Sequence, residues 1–280
     1  MPSSNDSQVE IRCGEQQLVF DTTLGGRAIS WNYQGIELLG ASGKNPVEFG
    51  FYPMLPWAGR LADNSVSVNG ELIKQEINYQ GWAIHGLSFD NPLTAWSVQA
   101  DGDSTTFLAV QRISSWIEDL EATFTWRIDE HSLETTIEVK PISDVSSRVV
   151  VGWHPWFRKS LGSGAPAVLK INDAKLLTKV DSLPTGELVD FDVTLGPFDD
   201  ALIVPAKTMV IEWPEALQLR ITHSHEWFVI YDGNKDLICV EPQTGAPNAL
   251  NGAFSDSALF CSRSEPARMT TRWELQSLSN

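Results

Sequence analysis

The strongest constraint on the fold is a period-two alternation of apolar and polar residues, repeated in short runs along most of the chain. Ala122-Thr123-Phe124-Thr125-Trp126-Arg127-Ile128 and Leu133-Glu134-Thr135-Thr136-Ile137-Glu138-Val139 are the clearest cases. Side chains alternate across a strand, so such a run puts one face on a core and the other on solvent. Runs at 18–20, 28–31 and 106–110 read the same way. So do 148–153, 167–171, 201–204, 208–213, 217–222, 227–231, 237–241 and 268–275. Turn signals separate them at Gly25-Gly26, Asn69-Gly70, Asp101-Gly102-Asp103 and Asp232-Gly233-Asn234. Asp129-Glu130-His131-Ser132 reads as the turn of a hairpin joining the two clearest strands. No segment carries a capped 3.6-residue periodicity, so helix should be scarce and strand should exceed about 40%.

Many short strands with polar turns predict an all-β fold: a large single-domain antiparallel β-sandwich over residues 1–280, with 1–8 as a flexible tail. A chain of 280 residues lies within the range of single all-β domains, and neither a Gly/Ser/Pro linker nor an internal repeat divides it. Its longest apolar runs are strand-sized, too short to span a bilayer. The N-terminus has no basic stretch and no apolar core of a signal peptide, so the cytoplasm is the expected location. A net charge of −16 leaves no basic face for nucleic acid or an anionic membrane. Cys13, Cys239 and Cys261 lack paired or metal-ligand spacing and should be reduced.

Four places could carry chemistry. Pro56-Trp57-Ala58-Gly59-Arg60 is a loop that presents a guanidinium, and Gly81-Trp82-Ala83-Ile84-His85-Gly86 holds a His beside a glycine. In Val151-Gly152-Trp153-His154-Pro155-Trp156-Phe157 and Ile238-Cys239-Val240-Glu241-Pro242-Gln243-Thr244, an apolar strand delivers an ionisable residue just before proline. Proline cannot extend a ladder, so both residues are expected at strand ends on a sheet rim, where surroundings tune a pKa. Period two puts Glu241 on the side of Cys239, and His154 on the side of Gly152, which would leave room for a ligand. Eleven tryptophans are many for this length. Trp57, Trp82 and Trp156 offer flat apolar faces suited to a pyranose ring, although most Trp residues fill cores. His223-Ser224-His225 has a metal-compatible spacing but no third ligand, so no metal is expected.

Taken together and in order, these segments resemble the aldose 1-epimerase (galactose mutarotase) family. The resemblance rests on Gly25-Gly26, Pro56-Trp57-Ala58-Gly59-Arg60, His85-Gly86, His154-Pro155-Trp156-Phe157, Phe198-Asp199-Asp200 and Glu241-Pro242-Gln243-Thr244, and it spans roughly residues 18–275. It implies the family's mutarotase sandwich, with Glu241 as general base and His154 as general acid. It also implies that His85, Arg60 and Asp199 hold the sugar, with Asp200 the alternative to Asp199. No cofactor is implied. The expected partner is a small-molecule sugar, and the chain is expected to be a monomer or homodimer. Trp156 stands where the family more often has Tyr, which bears on substrate identity rather than on reaction class.

Mutarotation opens a cyclic hemiacetal and recloses it with C1 inverted. A base takes the C1 hydroxyl proton while an acid protonates the ring oxygen, and each well-placed group contributes about 10²–10⁴ in rate. Three alternative functions are open to such a chain. A glycoside hydrolase needs two matched carboxylates, and only Glu241 has such a setting. A non-catalytic carbohydrate-binding protein needs neither acid nor base. A phosphorylated or sulfonated sugar would call for cations beyond Arg60, such as Arg158 and Lys159.

Overall fold

The structure, a computed structural model, describes residues 7–40, 43, 45–68, 71–114, 116–162 and 164–278. Strand makes up 55% of it, and among the described residues the only helices are four 3-10 turns of three residues each. All strand pairs are antiparallel, as the alternation predicts. The Asn69-Gly70 turn and the first six residues of the expected tail lie outside the described residues. Gln8, the last residue of the expected tail, already lies in a strand, Gln8–Cys13, that pairs with Gln16–Asp21.

Two large sheets form the body. The path of the first runs Gln8–Cys13, Gln16–Asp21, Arg27–Tyr33, Phe51–Met54, Gly152–Arg158, Leu237–Gln243, Trp227–Tyr231, Asp199–Ile203, Lys175–Val180 and Leu183–Asp190, with Ile36–Glu37 attached to the third. The second has eight strands and holds the predicted hairpin at its centre. There Ile128 faces Leu133, and the Asp129 carboxylate accepts the backbone N–H groups of His131 and Ser132. Aromatic rings join the sheets. Trp126 of the second lies edge-on to Phe51 at 4.7 Å and to Trp153 at 4.6 Å, and Trp273 lies edge-on to Phe51 at 4.8 Å. Such pairs add about 0.5–1.5 kcal/mol each beyond the area they bury.

One expected strand is placed differently. The run 148–153 is two strands, Ser147–Val149 and Gly152–Arg158. The first pairs with Leu259–Cys261 in a separate ribbon, and the second enters the large sheet. The apolar run hides the switch because both pieces are buried.

Candidate active site

The large sheet uses its two faces for different purposes. Trp153, Phe157, Val240, Phe228 and Leu202 point into the core and are fully or nearly fully buried. Their neighbours along each strand necessarily point the other way. On that second face Glu241 stands beside Val229, and Tyr231 lies between Cys239 and Asp199. With loop residues, Glu241, Val229, Tyr231 and Asp199 line a cavity of about 220 Å³.

His154 and Glu241 meet at a local interruption of this sheet. Gly152–Arg158 and Leu237–Gln243 pair at Gly152 with Gln243 and again from Trp156 with Cys239, with no paired residues between. The common register sets His154 opposite Glu241. Trp156 and Arg158 donate their N–H groups away from this seam, to Gly50 and Leu38, so alternation turns the Pro155 nitrogen into it. Thr244 N–H donates across the seam to Val151, which puts the Pro242 nitrogen on the same line. Neither proline has a hydrogen to donate. The ladder opens there, and His154 Nε2 lies 3.2 Å from Glu241 Oε1 with both side chains buried. This corrects the expected strand ends, since both strands continue past proline and the pair sits mid-sheet. Gly152 leaves no ligand space either, because Gln243 and Met54 crowd its α-carbon.

Loops supply the cavity's rim. His85 has φ of 60° and exchanges two bonds with Gly59. Its N–H donates to Gly59 O at 3.0 Å, and Gly59 N–H donates to His85 Nδ1 at 3.3 Å. Gly86 fixes this turn: its φ is +80°, and an added Cβ would lie 1.9 Å from Leu55 O. Arg60 Nη2 donates to Asp199 Oδ2 at 3.1 Å. Asp200 is on the opposite strand face, opposite Ile230, and pairs with Lys179 at 2.8 Å. His85, Arg60, His154, Trp156, Asp199 and Glu241 thus line one cavity, although they span about 180 residues of sequence.

The sequence model of the aldose 1-epimerase family matches residues 8–257. The chain belongs to that family. Solved structures agree in fold. A galactose mutarotase-like protein from Clostridium acetobutylicum superposes with a TM-score of 0.85 at 16% identity, covering 96% of this chain and 95% of that one. Galactose 1-epimerase from Lactobacillus acidophilus gives 0.79 at 14% identity, over 99% and 97%. An aldose epimerase homologue from C. elegans gives 0.76 at 14%, over 98% and 99%. No curated protein matches the chain in sequence.

Within this family member, burial dominates the electrostatics. It pushes the Glu241 carboxyl well above its ordinary range, and the nearby Asp199 adds to the rise. It drives the His154 imidazole well below its usual value, with His85 and Arg27 adding to the fall. His85 is lowered to about 3 by burial and by Arg60. Burial thus disfavours a lone charge on either member of the His154–Glu241 pair. Gln243 Nε2 donates to Glu241 Oε2 at 3.3 Å and leaves its own Oε1 buried without a partner.

His85, His154 and Glu241 also place ligand-capable atoms within 4.8 Å of one another. Their hydrogen bonds suit a metal poorly. A metal-bound imidazole normally gives its remaining N–H to an acceptor. His85 Nδ1 instead accepts from Gly59, which puts the proton on Nε2, and His154 Nδ1 has no partner. A donor at His85 Nε2 suits a sugar oxygen. The other pair, His223 and His225, lies in no three-ligand cluster among the described residues, and His223 packs edge-on to Phe228 at 4.5 Å.

The tryptophans need correction. Trp57 is buried against Trp116, 5.5 Å away, and does not line the cavity. Trp82 also stays outside the lining, and its backbone closes a turn with Tyr79. Of the three, only Trp156 reaches the cavity, and it is 6% exposed. Tyr79, Tyr231, Gln243 and Lys179 line the cavity as well, and sequence reading missed them. Alternation from Glu241 would have found Gln243. Tyr231 follows only from strand pairing.

Proposed function

We propose that this protein is an aldose 1-epimerase interconverting the α and β anomers of a neutral hexose, with Glu241 as base and His154 as acid. The observation that carries this reading is the 3.2 Å approach of His154 Nε2 to Glu241 Oε1 on the cavity wall. The two hemiacetal oxygens share one carbon, so their proton donor and acceptor need to be neighbours rather than to stand on opposed sides of the ring. Proton count also balances: the pair takes one proton from the C1 hydroxyl and gives one to the ring oxygen, then reverses on closure. Arg60, His85 Nε2–H and Asp199 hold the hydroxyls and supply orientation.

A neutral substrate is favoured by the state of the cations. Arg60 and Lys179 line the cavity, but both are engaged by Asp199 and Asp200. Arg158 and Lys159 bond instead to the carbonyls of Leu39 and Asp232, outside the lining. The test is the decay of optical rotation of a freshly dissolved pure anomer. Glu241→Gln and His154→Asn should each cut kcat about 10²–10⁴-fold with sugar affinity little changed. The double variant should lose far less than the product of the two. Normal turnover in Glu241→Gln would refute the base, and an inactive wild type would leave a sugar-binding protein.

A further inference from the structure

His154 lacks the support expected of a working imidazole. A catalytic His is usually held by a hydrogen bond from its second nitrogen to a carboxylate or carbonyl, yet His154 Nδ1 is buried and unpartnered. Flat rings hold it instead. Tyr52 stacks on one face with centroids 4.8 Å apart and planes 18° apart. Trp156 stacks at 5.2 Å and 23°. Both rings are pinned to one atom: Val47 O accepts from Tyr52 Oη at 2.9 Å and from Trp156 Nε1 at 2.8 Å. The column continues beyond Tyr52. The Arg27 guanidinium lies 4.3 Å from the Tyr52 ring centre and 4.4 Å from that of Phe49. Arg27 is fully buried, donates to Phe49 O and Phe89 O, and leaves Nε without a partner. No carboxylate neutralises it within salt-bridge distance among the described residues.

We propose that Arg27, Tyr52 and Trp156 form a positioning stack for His154: the two rings fix its plane in place of a hydrogen bond, and the buried Arg27 cation makes its protonated form a stronger acid. This deepens the assignment of His154 as the acid and rests on it. A buried cation separated from His154 by a single ring is a large perturbation because a buried ring stack screens little. Its sign favours the reaction, since the ring oxygen of a hemiacetal is a weak base and a stronger donor protonates it faster. The other charged or titratable groups around His154 are Glu241 opposite, His85 edge-on at 4.7 Å, and behind them Arg60, Asp199 and Cys239. The stack also changes the role of Trp156, which clamps the acid rather than carrying the sugar.

The experiment pairs kinetics with imidazole 15N NMR. The His154 resonance is identified by its absence in His154→Asn. Arg27→Gln keeps hydrogen-bond donors but removes the charge, and it should raise the His154 protonation midpoint by about one unit. The acid limb of the kcat profile should move in the same direction. An unmoved midpoint in folded Arg27→Gln would overturn the electrostatic half. Tyr52→Phe and Tyr52→Leu test the ring clamp without touching the cation. Phe keeps the stacked face and should retain kcat within about threefold, whereas Leu should lower kcat about 10–100-fold with KM nearly constant. Wild-type kcat in Tyr52→Leu would overturn the clamp. The NMR midpoint reads the stack even if the protein has no mutarotase activity, so the two assignments fail separately.

Discussion

Three buried histidines set how this protein responds to acid. His85 and His223 are lowered to about 3 from 6.5, each chiefly by burial, and His154 falls in the same direction. The unfolded chain binds protons at these positions below about pH 6.5 while the folded chain refuses them until far lower. Their contribution to stability is therefore complete above that pH and is lost as pH falls toward about 3. The loss is at most about 1.4 kcal/mol per pH unit for each group. His223→Leu, remote from the cavity, should make the slope of unfolding free energy between about pH 6 and pH 4 shallower by nearly one proton. A slope equal to wild type in urea titrations would contradict the neutral buried imidazole. At this scale the sequence was informative wherever residue type dictates chemistry. His154 and Glu241 were conspicuous because an ionisable group beside proline in an apolar run is costly unless used. Trp57 misled because the same flat ring suits a sugar and a core, and only packing against Trp116 decides between them.

Strands and turns were legible in proportion to their burial. Segments with one apolar and one polar face, such as Leu120–Ile128 and Ser132–Pro141, announce themselves by alternation. The hairpin Lys175–Val180 and Leu183–Asp190, at the end of the large sheet and largely exposed, has no such contrast and was missed. The prolines were read correctly as ladder breakers and wrongly as strand ends. Neighbours on their far sides, Phe51–Met54 and Trp227–Tyr231, keep the strands going through the gap. Turn geometry yields a sharper test. Gly86 and Gly35 both have positive φ, at +80° and +77°, but only Gly86 is hemmed in, by Leu55 O at 1.9 Å from a would-be Cβ. Gly35→Ala should cost about 1–2 kcal/mol, the strain of the left-handed backbone alone. Gly86→Ala adds a collision with backbone and should cost clearly more, about 3 kcal/mol or above, while displacing His85. Equal melting temperatures for the two variants would mean the His85 turn can relax.

At the scale of the molecule, the two sheets share one aromatic interior. Phe51, Trp126, Trp153 and Trp273 touch across it, and Trp153 directly precedes the site residue His154 in sequence. Cavity and core should therefore fail together. Urea should abolish turnover and expose tryptophan fluorescence at one midpoint, as for a single cooperative unit. Loss of fluorescence at two separated midpoints would divide the sheets into independent bodies. The sandwich and its site-bearing strands could be read from the chain; the cavity could not, because its membership depends on which strands become neighbours. One atom makes the point in another way. The carbonyl oxygen of Val47 anchors rings belonging to positions 52 and 156, the second 109 residues away. A backbone oxygen survives every substitution at its own position, so variation at 47 leaves the anchor in being. What can move it is the turn that carries it, Pro46–Glu48, which begins at Asn45 with that side chain accepting the Val47 N–H at 2.9 Å. Through this one oxygen, the aim of a buried imidazole is delegated to an asparagine cap on a surface turn, a residue with no chemistry of its own.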